Sequence, residues 1–386
     1  MKVYFDNAAT TKLREEVIDC MTRVLKNEYG NPSSTHSFGR ASKSLIEKAR
    51  KDIAGLLNVS ASEIIFTSGG TEADNLILIS AVRDLGVERI ISTPVEHHAV
   101  LHTLGWLRQE KGIEVTDVKL DSCGHVDFDD LEKLLEDSSK KTLVSLMHIN
   151  NEVGNMLDLK RAAALCRDKN VLFHSDTVQS VGHYDLDFQE IPLDFAAASA
   201  HKFHGPKGVG FAFIRKNSGL KPLIHGGSQE KGLRAGTESV SGIAGMVEAL
   251  KISCERMAEE SKQIGALKKY FRTRLEESLP GVKFNGACGD DARSTYTLLN
   301  VCLPLSEAQA MMLLFQLDLK GIACSKGSAC QSGSNSGSHV LKAILSEEDF
   351  KKPSVRFSFS HFNTREEADY VVNVLQEFVK NPVVTK

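Results

Sequence analysis

The chain has 386 residues, of which 41% are hydrophobic and 25% charged, with a formal net charge of −3 at pH 7. That is an ordinary globular make-up with enough chain for about two to three domains and a large core. The near balance of charge, with no basic block or basic amphipathic helix, argues against direct nucleic-acid binding or an anionic membrane as partner, and no apolar run approaches the roughly 18 residues of a membrane span.

In chain order, Tyr4 to Thr11 reads as an extended arm before a helix at Arg14 to Lys26, and Tyr29-Gly30-Asn31-Pro32-Ser33-Ser34 has the chemistry of a loop. Met1 to Thr11 shows no basic segment followed by an apolar core, so the eight cysteines are expected to be reduced thiols and the compartment the cytoplasm. From Ser37 to about Lys251 helical and strand patterns alternate, which predicts an α/β domain with a largely parallel sheet. Its clearest strands are Ile64 to Thr67, Arg89 to Ser92, Thr142 to Met147 and Val171 to His174. Ligands of such sheets gather beyond the carboxyl ends of the strands.

Each strand end carries polar residues. The first leads to Ser68-Gly69-Gly70-Thr71-Glu72-Ala73-Asp74-Asn75, with Thr71 expected as a helix N-cap. It is either a simple turn or a glycine-loosened helix start suited to a phosphate. It matches neither a Walker loop nor a dinucleotide fingerprint. The second ends in Glu96-His97-His98; adjacent histidines point apart on a helix and lack a third ligand nearby, which leaves a polar loop histidine or a flat ring lying against a flat cofactor. The third gives Asn150-Asn151-Glu152-Val153-Gly154, and the fourth Asp176-Thr177-Val178-Gln179, whose acid either caps a helix or faces a buried positive charge. A further apolar run, Phe195 to Ala198, delivers Ser199-Ala200-His201-Lys202 before a Gly-Pro turn and a second strand, Val209 to Ile214; Lys202 is the candidate reacting amine and Lys207 its rival.

Beyond Lys251 the pattern changes. A helix from about Met257 to Leu279, strands at Thr295 to Leu303 and Ser354 to Ser358, and the capping-box spacings Ser306-x-x-Gln309 and Thr364-x-x-Glu367 predict a smaller α+β domain. Cys330 sits in a Ser/Gly stretch, Ser325 to Ser338, whose composition predicts a mobile loop with an exposed thiol. No second thiolate pair accompanies Cys324 and Cys330 at ligand spacing, so no fixed metal site is expected. Arg356 alternates with Val355 and Phe357; it faces either solvent or, in a crevice, a carboxylate.

With Ser199-x-His201-Lys202, Asp176-x-x-Gln179, Gly69 to Asn75, Glu96-His97, Asn150 to Gly154, Arg234-Ala235-Gly236-Thr237-Glu238 and Gly327-Ser328-Ala329-Cys330, the sequence resembles the cysteine desulfurases. These belong to the class V aminotransferase group of fold-type I pyridoxal-phosphate enzymes. The match runs in order from Asp6 to Arg356, nearly the whole chain. The resemblance implies a large domain, residues 14–255, with a mostly parallel seven-stranded sheet. It also implies a smaller C-terminal domain, 256–386, carrying the cysteine loop, and an N-terminal arm, 1–13, packed with it. It implies that Lys202 holds pyridoxal 5'-phosphate, Asp176 pairs with the ring nitrogen, His97 stacks on the ring and Gln179 meets its hydroxyl, while Gly70, Thr71, Ser199 and His201 hold the phosphate. Thr237 would reach the phosphate of a neighbouring subunit, which makes the protein a homodimer. L-cysteine would bind through Arg356 and Asn151, His97 would take the substrate thiol proton, and Cys330 would receive the sulfur as a persulfide. Implied acceptors are an iron–sulfur scaffold or a sulfur-relay protein, with transient contact between Cys330 and a cluster during transfer, serving iron–sulfur cluster assembly or tRNA thiolation. Lys231, Ser239 and Ser360 depart from the residues frequent in that family.

Overall fold

The computed structural model describes residues 1–305, 307–326 and 337–380. Cys330 and Ser306 therefore lie outside the described residues. A seven-stranded sheet is built from β2 (Ile64–Thr67), β3 (Arg89–Ser92), β4 (Glu114–Asp117), β5 (Thr142–Ser145), β6 (Leu172–Asp176), β7 (Phe195–Ser199) and β8 (Gly210–Ile214). Its order is β2-β8-β7-β6-β5-β3-β4. All neighbours are parallel except β8, which runs antiparallel to both β2 and β7 because only a short turn joins it to β7.

Apart from the edge strand β4, the strands are buried on both sides, as helices cover both faces. Ile64 and Phe66 join the first core with α2 (Ser37–Leu56) and α6 (Leu159–Asp168), while Ile65 joins a separate cluster with α3 (Gly70–Leu85) and α4 (His98–Lys111). A shorter helix, α5 (Phe128–Glu136), packs Leu131 and Leu135 into the first core, and α1 (Glu15–Asn27) adds Val17.

The second core belongs to a smaller unit. Its antiparallel sheet has the order β12-β10-β9, from β9 (Lys283–Phe284), β10 (Leu298–Cys302) and β12 (Ser354–Ser358). Helices α8 (Glu307–Leu319), α9 (His339–Ile344), α10 (Glu347–Phe350) and α11 (Arg365–Lys380) follow in the same segment. At the start of α11, Thr364 and Glu367 form the expected reciprocal cap, with contacts of 3.0 and 3.2 Å. The N-terminal strand β1 (Val3–Tyr4) pairs in parallel with β11 (Ile322–Ala323), and Val3 and Phe5 are buried in the second core.

Two local expectations are corrected and one open alternative is resolved. The helix expected from about Met257 is the second half of α7 (Val240–Ser278), 39 residues long and so about 58 Å. Ile243 and Met246 lie in the first core and Leu267 and Phe271 in the second, so one helix is anchored at both ends and passes through residues 255–256, which are exposed. Thr71 is not the N-cap of α3. Gly69, with φ of 151°, makes the turn, and the helix starts at Gly70. Of the two destinations open to Arg356, solvent is excluded. All five residues of β12 are buried, Arg356 to 1% exposure.

Candidate functional site

The carboxyl ends of β2, β3, β5, β6 and β7 open onto one cavity of about 560 Å³. Nine of the residues singled out from the sequence line it: Gly70, Thr71, His97, Asn151, Asp176, Gln179, Ser199, His201 and Lys202. Lys202 ends a short 3-10 turn that follows β7. Its Nζ donates to the carbonyls of Ala8 and Ala9 at 2.7 and 2.9 Å, and Gln179 Nε2 donates to Ala8 O at 3.0 Å. The N-terminal arm thus forms one wall of the site. The sequence reading placed no arm residue there, because backbone carbonyls leave no signature in side-chain chemistry.

The glycine turn is a cradle with its volume already spoken for. A Cβ on Gly70 would lie 2.5 Å from Val178 Cγ2, and one on Gly210, in the strand beneath, 2.3 Å from Ala198 O. Only glycine lets the backbone approach so closely, and the N-terminal turn of the 16-residue α3 faces the cavity with its unpaired N–H groups and positive dipole end. Ser199 and His201 sit on the same side, with His201 Nδ1 3.2 Å from Thr10 Oγ1. Burial and then the Lys202 charge push His201 down to about 4, so its ring is neutral near pH 7.

Asp176 ends β6. One of its oxygens accepts from Val178 N at 2.9 Å, and burial pushes the acid up to about 6. A carboxyl so placed is ready to take a cationic partner from the cavity. His97 is the N-cap of α4, with Nδ1 accepting from Ala99 N at 3.1 Å. That bond puts the ring proton on Nε2. Burial first, then the Lys202 charge, lowers His97 to about 4.

Behind these lie buried groups that the sequence reading missed. Asp74, on α3, is 1% exposed, lines the same cavity and lies with Oδ1 3.3 Å from His174 Nε2. Burial, then Asp176 and Glu96, hold it well above the usual carboxylate range. Glu96 accepts from Met147 N at 2.9 Å and is pushed up to about 8, first by burial. For Asp74 the available signal was an acid inside an apolar helix pattern; Glu96, in the turn before α4, offered none beyond its place after a strand.

Two candidates stand off the cavity. Thr237 lines a separate pocket of about 90 Å³ with Ser68 and Gly208. Its loop is pinned by Glu230, which takes both Arg50 Nη atoms at 2.6 and 2.8 Å, and by Arg234, 2.9 Å from Glu72. Arg356 stands behind Asn151 and donates from Nη1 to its carbonyl at 2.7 Å. A larger cavity, about 620 Å³, adjoins through Met147; the start of α6 lines it, but its one lysine, Lys160, is an exposed side chain paired with Glu190 at 3.2 Å. Among the described residues no group of three or more His, Cys, Asp or Glu could hold a metal ion, and no helix is long and apolar enough to cross a membrane. The seven described cysteines are unpaired.

A glycine-floored helix start, a buried acid, a flat neutral imidazole and a lysine amine around one slot suit a planar, phosphate-bearing cofactor with a ring nitrogen. Comparison with known proteins agrees. Residues 3–371 match the family model of aminotransferase class V. Cysteine desulfurase IscS of Dictyoglomus turgidum is 40% identical over 381 residues, covering 98% of this chain and 95% of that protein. The cysteine desulfurase of Bradyrhizobium diazoefficiens is 37% identical, covering 98% and 94%. Among solved structures, a NifS-like protein superposes with a TM-score of 0.89 at 37% identity, covering 98% of this chain and all of its own. SspA in complex with cysteine gives 0.80 at 30%, covering 94% and 100%. The chain belongs to the aminotransferase class V family and, within it, to the cysteine desulfurases.

Proposed function

We propose that the protein converts L-cysteine to L-alanine with pyridoxal 5'-phosphate and takes the sulfur onto Cys330 as a persulfide. The observation that carries this reading is the single cavity shared by Lys202, Asp176, His97 and the start of α3. Lys202 would hold the cofactor, the α3 start with Ser199 and His201 its phosphate, Asp176 its ring nitrogen and Gln179 its hydroxyl. When bound, the cofactor supplies an electron sink for the bonds around the substrate Cα.

The chain's own groups do the rest. Arg356, with Asn151 beside it, receives the substrate carboxylate and so fixes which Cα bond faces the slot. The Lys202 amine, held between the Ala8 and Ala9 carbonyls, takes the Cα proton and returns one. His97 presents a flat ring. To take the substrate thiol proton it uses Nδ1, which must first let go of Ala99 N. The Cys330 thiolate attacks the substrate sulfur, the C–S bond breaks, and the released carbon picks up a proton as the methyl group of alanine, so that thiol and cysteine give persulfide and alanine.

The division into an arm (1–13), a cofactor domain (14–255) and a cysteine-bearing domain (256–386) belongs to the same proposal. So does a homodimer, since Thr237 stands off its own cavity and would serve the partner subunit's phosphate. The acceptors would be an iron–sulfur scaffold or a sulfur-relay protein of the cytoplasm. Purified protein should be yellow, borohydride should fix the cofactor to Lys202, and cysteine should yield alanine. Protein that takes up no pyridoxal phosphate would contradict the reading.

A further inference from the structure

Three arginines, Arg14, Arg50 and Arg356, are each only 1% exposed, and two of them fill their forks with a carboxylate. Arg14 holds Glu260 through both Nη atoms at 2.8 and 2.7 Å, and Arg50 holds Glu230 the same way. Arg356 differs. One nitrogen, Nη2, meets one oxygen of Asp6 at 2.9 Å, and Nη1 is spent on a backbone carbonyl, so no carboxylate fills its fork; Nε, like that of Arg14, is buried without a hydrogen-bond partner among the described residues. The same Asp6 oxygen accepts from Ser325 Oγ at 2.9 Å. The Asp6 side chain retains 18% exposure where Arg356 retains 2%, so the acid lies at the open edge of the pair.

The arm joins this pair to the reacting amine. Asp6 contacts Arg356, while Ala8 and Ala9, two and three residues on, contact Lys202 Nζ. The turn Ala9 N to Asp6 O at 3.0 Å keeps the span short, below the roughly 10 Å of three extended residues. An amino acid reacting at Lys202 and held by its carboxylate on Arg356 must lie along this arm.

We propose that Asp6 is a specificity-determining residue, a resident counter-ion on Arg356 that makes the site accept amino acids with one carboxylate and disfavour those with a second anionic group. This rests on the reading that Arg356 holds the substrate carboxylate. With Asp6 in place the guanidinium is already matched by one anion, and the substrate carboxylate is the second. A further anion on the substrate side chain meets a corner with surplus negative charge and little water to screen it. The thiol of cysteine is neutral as it binds and escapes the repulsion.

The test uses holoenzyme and two unreactive probes of equal shape, L-asparagine and L-aspartate, with Kd read from the change in visible absorption. Asp6→Asn keeps an acceptor for Ser325 and Arg356 but removes the charge. The ratio of the aspartate to the asparagine Kd should fall by about 10-fold or more, with the asparagine Kd moving by no more than about 3-fold; Asp6→Glu should keep the wild-type ratio. Should Asp6→Asn not fold, Asp6→Ser carries the same expectation. A ratio unchanged in the neutral variant, whether both constants stay put or shift together, overturns the proposal. Arg356→Gln separates the two layers. If it leaves asparagine binding intact, the carboxylate reading falls as well. If it abolishes binding while Asp6→Asn leaves the ratio alone, only the role of Asp6 falls.

Discussion

Two buried ion pairs, Arg50 with Glu230 and Arg356 with Asp6, use the same groups to opposite ends. The first is closed. Arg50 also donates to Ile64 O at 2.7 Å and lies 3.3 Å from Glu47, while Glu230 also accepts from Phe66 N at 2.8 Å. Every strong donor is matched, and the pair fixes the 225–238 loop, where Glu230 and Lys231 both hold positive φ. The second pair is open, with one oxygen on one nitrogen and, among the described residues, a buried Nε unmet. A saturated buried charge holds structure in place; one whose fork is not filled by a carboxylate can still receive one.

The largest effect that would sharpen this contrast is on stability. Arg50→Ala strands the Glu230 carboxylate and should lower unfolding free energy by about 3–5 kcal/mol, read by denaturant titration. A loss under about 1 kcal/mol would mean that the closed pair holds nothing. Arg356→Gln should act on the other axis. We expect KM for L-cysteine to rise about 100-fold, with kcat changed far less and the unfolding midpoint nearly unmoved. An unchanged KM beside a large stability loss would place Arg356 with Arg50.

Glu96 carries the contrast to the acids. Folded, it keeps its proton up to about 8; unfolded, it ionises above about 4.3. Between those values the native state binds more protons, so this group makes cofactor-free protein less stable as pH rises. Glu96→Gln removes the titration, and its stability relative to wild type should rise by about 3–4 kcal/mol between roughly pH 5 and pH 8. Parallel stability curves would contradict the assignment. The smallest effect belongs to the closed side: Thr364→Ala, which breaks the α11 cap, should cost about 1 kcal/mol and leave KM alone.

Much of this was legible in the sequence, and what was not has a physical reason. Strands β2, β3, β6 and β7 announced themselves by continuous apolar runs, because a parallel sheet is buried on both faces. The polar residues just beyond them had to converge on one edge. The two-residue strand β1 carries no periodicity, and its place beside β11 is set by pairing across the whole chain. The contribution of Ala8 and Ala9 is two carbonyl oxygens, which any residue could supply. Alternation alone left Arg356 between solvent and a crevice, because it assumes one wet face, and β12 has none. Asp6, two residues from that wall, was read only as part of a motif; its pairing with Arg356 spans nearly the full chain.

The most direct test of the whole account is intact-mass analysis of holoenzyme after one turnover of L-cysteine, with alanine measured in the same sample. The account predicts one added sulfur atom per chain, mapped to Cys330, in step with the alanine formed, and neither product from Lys202→Ala. Wild-type rates of sulfur release from Cys330→Ala, or added sulfur on another cysteine, would contradict it.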